Sequence, residues 1–187
     1  MPTVKLTRAT IEDYNLIQNM ARFYVYDMSR FCGQMPGWEI PKDGLYECFD
    51  FKKYITDDDR DAFLVTVSDE IAGFVLLNKR FVGPTQEALS ISNTKNKWNM
   101  GEFFILAKFQ RHGIGKQVLK QLFKMIPRYW EVTVIPENKP AISFWKNSIK
   151  ELSEGQFTEN TVKVTYDSTQ PNRVVFNFII NVDKERD

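Results

Sequence analysis

The chain has 187 residues, 43% of them hydrophobic and 26% charged, and its 25 Lys and Arg against 24 Asp and Glu leave a net charge of +1. That length suits one domain over residues 1–187 with a sizeable core, and the balanced charge excludes a chain drawn by its overall field to nucleic acid or an anionic membrane. One histidine and two cysteines, Cys32 and Cys48, match no metal or redox spacing; with no leader segment and no apolar run near the ~18–20 residues that cross a bilayer, they predict free thiols in the cytoplasm and no metal.

Thr3–Arg8 alternates as a strand does. Thr10 then starts a helix, with Asp13 three residues on in a near-capping-box arrangement, and Tyr14, Ile17, Ala21, Tyr24 and Met28 recur on one apolar face. Phe31–Gly44 contains Gly33, Pro36, Gly37, Pro41 and Gly44 and reads as a loop. Leu45–Tyr54 predicts a second short helix, and Asp57–Asp59 an exposed turn. Ala62–Val67 and Ile71–Asn78 predict a hairpin turning at Ser68-Asp69-Glu70.

Gly83–Lys97 is polar and reads as a long loop. Trp98–Phe109 predicts a strand whose continuous apolar centre, Phe103-Phe104-Ile105-Leu106, implies burial on both sheet faces. Ile114, Val118, Leu119, Leu122, Phe123 and Ile126 share one helical face, which stops at Pro127. Trp130–Ile135 is another strand. Asn138 is placed to cap the next helix, with Pro140 in its first turn and Ala141, Phe144, Trp145 and Ser148 on one face. Gln156–Tyr166 and Arg173–Ile180 close the chain as a hairpin. The order β-α-α-β-β-β-α-β-α-β-β predicts an α/β (α+β) layered domain with a mixed sheet and helices on both faces.

The chemistry concentrates at Gln110-Arg111-His112-Gly113-Ile114-Gly115-Lys116, between the buried strand and a helix. A helix start leaves main-chain N–H groups unpaired at the positive end of the dipole, and glycines let that main chain approach a phosphate. No acid lies between Glu102 and Glu131, while Lys108, Arg111, Lys116, Lys120, Lys124 and Arg128 do. A nucleotide P-loop would need Gly in place of Gln110 and Ser or Thr in place of Gln117. A dinucleotide fingerprint fails at Val118.

Gln110-Arg111-His112-Gly113-Ile114-Gly115 resembles the Q/R-x-x-G-x-G/A motif of the GCN5-related N-acetyltransferase (GNAT) superfamily. Asn138-Lys139-Pro140-Ala141-Ile142-Ser143-Phe144-Trp145 resembles the N-x-x-A-x-x-F-Y segment of its next helix. The run Glu102–Leu106, Trp130-Glu131-Val132 and the first-helix stretch Phe23–Ser29 are similar to a bacterial subgroup of predicted acetyltransferases. The resemblance is sharpest across residues 98–150.

It implies a GNAT-like, mostly antiparallel sheet of about seven strands, acetyl-CoA as cosubstrate, and transfer of its acetyl group to a primary amine of a small molecule or protein by direct attack. Main-chain N–H groups from Gln110, Arg111, His112, Gly113, Ile114, Gly115 and Lys116 would hold the pyrophosphate. Phe104, Ile105 and Ala107 would pair with the pantetheine as an added strand, and the Ile105 N–H would polarise the acetyl carbonyl. Asn138, Ala141, Phe144 and Trp145 would line the wall beside it. Glu102 is the candidate base, since partial burial raises a carboxyl pKa. Trp145 stands where many relatives carry an acidic Tyr, which leaves the proton of the departing thiolate to water, Tyr24 or Tyr129, and leaves open a non-catalytic acyl-CoA-binding or regulatory module. Tyr24, Tyr26, Asp27, Trp38 and the 83–97 loop are the acceptor-site candidates, and the acidic stretch Glu39, Asp43, Glu47 and Asp50 would suit a cationic acceptor. The expected partners are an amine acceptor, no nucleic acid and no membrane, in a monomer or homodimer.

Overall fold

The computed structural model describes residues 3–79, 97–126 and 129–180. The expectations for the 83–96 loop and for a helix stop at Pro127 lie outside them. Seven strands form one sheet: β1 (Val4–Arg8), β2 (Arg60–Val67), β3 (Glu70–Lys79), β4 (Lys97–Ile105), β5 (Tyr129–Val134), β6 (Phe157–Lys163) and β7 (Asn172–Ile179). The helices are α1 (Tyr14–Cys32), α2 (Lys53–Thr56), α3 (Ile114–Met125) and α4 (Lys139–Leu152). The element order is the one the sequence predicts. The sheet order is β1-β2-β3-β4-β5-β7-β6, and only β4 and β5 run parallel.

Each face of the sheet carries its own core. Val118, Leu119, Leu122 and Phe123 of α3 and Trp145 and Ile149 of α4 pack with Val75, Leu77, Ile105, Trp130 and Phe176. On the other face, Ile17, Met20 and Ala21 of α1 join Phe51, Phe74, Leu76 and Phe104. The apolar run of β4 thus feeds both cores, Phe103 and Ile105 into one, Phe104 and Leu106 into the other. That is why it lacks the alternation of a half-solvated strand.

Local signals hold where the chain closes on itself within a few residues. Ser68 and Asp69 both have positive φ (50° and 68°), so β2 and β3 join through a two-residue turn. Asp13 Oδ2 accepts from the Thr10 N–H at 2.8 Å, and a single 3₁₀ turn, Ile11–Asp13, leads into α1. Asn138 Oδ1 accepts from the Ala141 N–H at 3.0 Å, capping α4 ahead of Pro140.

Two expectations change. The predicted helix over Leu45–Tyr54 is reduced to the four residues of α2, because residues 45–52 are tied to other parts of the chain. Gln18 of α1 donates to the Phe49 carbonyl (2.9 Å) and accepts from the Phe51 N–H (3.1 Å), and Arg22 donates to the Tyr46 carbonyl. The strand predicted to Phe109 ends at Ile105, and Ala107–Phe109 form one 3₁₀ turn. Ala107, expected beside the pantetheine, lies in that turn and not on the strand.

Gly73 of β3 shows how tightly β3 and β4 are joined. A Cβ built there would lie 2.0 Å from the Phe104 carbonyl oxygen and 3.0 Å from Ile105 Cα. Those are main-chain atoms of the neighbouring strand and cannot rotate away. Gly73→Ala is expected to cost about 3 kcal/mol and lower the melting temperature by roughly 6–12 °C in calorimetry. A melt within about 2 °C of the unsubstituted chain would show that the two strands separate at little cost.

Candidate functional site

β4 and β5 part midway. Their ladder covers Lys97–Met100 against Tyr129–Val132 and stops, although β4 runs on to Ile105 and β5 to Val134. A bulge marks the place: Leu77 faces Met100, Leu76 faces Glu102, and Gly101 is the extra residue. Beyond it, β4 has a partner on one side only. The Leu106 N–H donates to the Ala72 carbonyl at 2.8 Å. Main-chain groups alternate sides along a strand, so Phe104 and Leu106 bond toward β3, while Phe103 and Ile105 present theirs to the gap. The Ile105 carbonyl is taken by Gln110 Nε2 at 2.7 Å. The N–H groups of Phe103 and Ile105 remain as donors at the opening.

The turn into α3 adjoins that gap. Gly113 is its N-cap, with φ 75°, and Arg111 also has a positive φ of 62°. No side chain caps the helix. Gln117 is the first residue whose N–H finds a partner, the Gly113 carbonyl at 3.1 Å, and no hydrogen bond among the described residues is donated by a main-chain N–H from Arg111 to Lys116. These donors form a row at the positive end of a 12-residue helix.

A cleft of about 370 Å³ joins the gap to this turn. Its strand side is Phe103, Phe104 and Ile105. Gln110, Arg111 and Gly115 line the turn end. Asn138, Pro140, Ala141, Phe144 and Trp145 form the α4 wall, and Tyr24, Asp27, Met28, Arg30 and Phe31 of α1 close it from the other side of the sheet. Gly115 lets the wall come close, since a Cβ there would lie 3.1 Å from the tip of the Phe144 ring.

Of the candidate site residues singled out from sequence, Tyr24, Asp27, Phe104, Ile105, Gln110, Arg111, Gly115, Asn138, Ala141, Phe144 and Trp145 border this cleft. Ile114 is buried in the core. His112 is exposed, and Gly113 acts through its turn. The Lys116 side chain does not point to the turn but pairs with Glu151 of α4. Lys120 shares Glu151, and Lys108 pairs with Glu70. Three of the six basic residues of that window, Lys108, Lys116 and Lys120, are therefore paired with carboxylates distant in sequence. Among the described residues, Arg111 makes no ion pair and is the cation left at the turn.

Tyr26 and Trp38 lie away from the cleft. Tyr26 is mostly exposed, its ring against Tyr46 at 6.4 Å. Three acids of that stretch hold neighbouring groups: Glu39 accepts from the Gly37 N–H, Asp43 from the Leu45 N–H, and Asp50 from the Lys52 N–H and the Tyr14 hydroxyl. Sequence reasoning missed Met28, Phe31 and Arg30 as cleft residues. Met28 and Phe31 were legible as the next positions on the apolar face of α1.

Trp145 is packed edge-on against Phe103 and Phe144, both at 5.3 Å, and carries no acidic proton. Glu102 is partly buried on the α1 face of β4 and is not among the residues lining the cleft. Burial pushes its carboxyl up to about 7, and hydrogen bonding with Tyr24 restrains that rise. The Tyr24 hydroxyl is itself held well above its ordinary value by burial and by the Glu102 charge, and stays neutral.

The described residues contain no group of three or more His, Cys, Asp or Glu placed to hold a metal, and no helix long and apolar enough to cross a membrane. The fit to an acyl-CoA rests on chain features: a row of open amides for a diphosphate, Arg111 beside it, and unpaired strand donors at the end of an apolar cleft.

No curated protein sequence matches the chain. Solved structures do. NAA60 of Arabidopsis thaliana, with a bisubstrate analogue, superposes with a TM-score of 0.61 at 15% identity, over 97% of this chain and 100% of that one. A ribosomal L7/L12 alpha-N-protein acetyltransferase in complex with coenzyme A gives 0.57 at 15% identity, over 97% and 96%. A spermidine N-acetyltransferase chimera from Vibrio cholerae and hSSAT gives 0.57 at 15%, over 94% and 95%. These establish a shared fold. The model of the acetyltransferase (GNAT) family matches residues 23–148, a span that runs from the α1 wall of the cleft through the parted strands and the α3 turn into α4, and the chain belongs to that family.

Proposed function

We propose that this chain transfers an acetyl group from acetyl-CoA to a primary amine of a small molecule or protein by direct attack. The observation that carries the reading is the gap between β4 and β5, where the open Ile105 N–H lies at the end of the same cleft that the α3 turn begins. Amides 111–116 and Arg111 hold the pyrophosphate. The free edge of β4 at Phe103 and Ile105 pairs with the pantetheine amides, as a strand edge pairs with a peptide. The Ile105 N–H donates to the acetyl oxygen as charge develops there. A Lys-like amine is mostly protonated at pH 7. Glu102, with a carboxyl near neutrality, is tuned to accept that proton.

Trp145 motivates a second reading, an acyl-CoA-binding module without turnover, since the residue packed there has no proton for a leaving thiolate. One experiment separates the two. Acetyl-CoA binding is measured by calorimetry, and thiol release is followed with spermidine, an alanine-ended peptide and a lysine-containing peptide. The proposed enzyme binds acetyl-CoA and releases thiol faster with at least one amine than by background hydrolysis. Binding with no amine-dependent release supports the module instead. Tight ATP binding without CoA binding removes both.

A further inference from the structure

Glu102 carries the titration suited to a base, yet Tyr24 is the side chain that reaches the cleft. Tyr24 lines the cleft and its ring rests on Phe104, two residues along the same face of β4 from Glu102. We propose that the Tyr24 hydroxyl is the catalytic proton carrier of the transfer, moving protons between the reacting atoms in the cleft and the Glu102 carboxylate. The proposal rests on the acetyl-transfer reading above and names a residue for its missing acid.

Placement is the argument. Residues 102 and 104 share one face of β4, and the Tyr24 ring lies on Phe104 at 5.8 Å and edge-on to Phe74 at 6.4 Å. That packing holds the ring against Phe104, within the parted stretch of β4. Among the described residues, no other tyrosine lines the cleft. The groups facing the pair are Tyr54 of α2, which interacts with Asn78 of β3 and with Glu102, and Cys32 further along α1. Asp27, Arg30 and Arg111 share the cleft, with Asp27 and Arg30 paired at 3.0 Å.

The steps balance without a co-reactant. The amine enters neutral, its ammonium proton having passed through Glu102 to solvent, and its nitrogen attacks the acetyl carbon to form a C–N bond. The proton shed by nitrogen moves to the Tyr24 oxygen as the Tyr24 proton passes to Glu102. When the C–S bond breaks, the Glu102 proton returns through Tyr24 to sulfur. Nitrogen has lost one proton, sulfur has gained one, and both side chains end as they began. A phenol held this far above its ordinary value does not persist as tyrosinate, so both transfers pass through it in one motion.

Two measurements on the full chain test the relay. With ¹³C-carboxyl glutamate, the Glu102 signal, identified by its loss in Glu102→Gln, is expected to titrate near 7. In Tyr24→Phe that midpoint moves up, because the hydroxyl that stabilises the carboxylate is gone; an unmoved midpoint overturns the contact and the proposal. In single-turnover assays with the amine found by the panel, Tyr24→Phe and Glu102→Gln are each expected to lose about 100-fold. The double variant loses no more than the worse single one, as for groups that act as a unit. Acetyl-CoA affinity stays within about twofold, and the residual rate of Tyr24→Phe no longer depends on a group near 7. Losses that multiply overturn the relay and leave acetyl transfer standing. Absence of turnover by the unsubstituted chain with every amine overturns both.

Discussion

Glu102→Gln is expected to lower kcat by about 100-fold or more at pH 8 while leaving acetyl-CoA binding intact. The unsubstituted chain gains activity as pH rises through about 7, because the carboxylate is the form that accepts the proton and burial has raised its titration to that range. The glutamine variant has nothing to titrate there, so its residual rate is flat across pH 6–8. A variant that keeps both its rate and the rise near 7 removes Glu102 from the mechanism. Stability supplies an independent check. The folded carboxyl holds its proton to higher pH than the unfolded one, so the native chain binds more protons between about 4.5 and 7. Stability contributed by this group is therefore present at low pH, declines as pH rises through that window, and levels off above it. Glu102→Gln removes that decline, which denaturant melts at pH 5 and pH 8 measure.

Gly113→Val is expected to weaken acetyl-CoA binding tenfold or more, a factor worth about 1.4 kcal/mol. Gly113 caps α3 at φ 75°, where a β-branched residue is strained by about 1–3 kcal/mol. Nothing lies within 4 Å of a Cβ built there, so the penalty is conformational and not a clash. Relaxing the turn swings the amides of residues 111–116 out of their row, and the diphosphate loses its donors. S-acetylpantetheine lacks that diphosphate, so its affinity changes little. Calorimetry with both thioesters decides the point: equal losses for the two place the defect in the cleft or the fold and not in the phosphate turn.

Much of the architecture could be read locally. The strands and helices follow from periods of two and 3.6, and the turn residues between β2 and β3 and the Asn138 cap act within three or four positions. The glycine turn into α3, with its open amides, was legible for the same reason, since strand end, glycines and helix start are contiguous. Failures arose where distant groups compete. The 45–52 segment has the makings of a short helix, yet Gln18 and Arg22 of α1 take its main-chain groups.

The residue sequence by itself determined the order of elements, which faces are apolar, and the placement of unpaired amides at the start of α3, because each depends on neighbours a turn or a strand-step away. Only the tertiary structure decided that β4 and β5 part after Met100, that α1 closes the opening with Tyr24, Met28 and Phe31, and that Lys108, Lys116 and Lys120 are paired with carboxylates on β3 and α4 while Arg111 is left at the turn. It also decided the chemistry of Glu102, whose titration depends on what buries it and on a hydroxyl 78 positions earlier in the chain. Charge and burial act through space over a few ångströms, and the order of residues does not specify which groups the fold will bring within that reach.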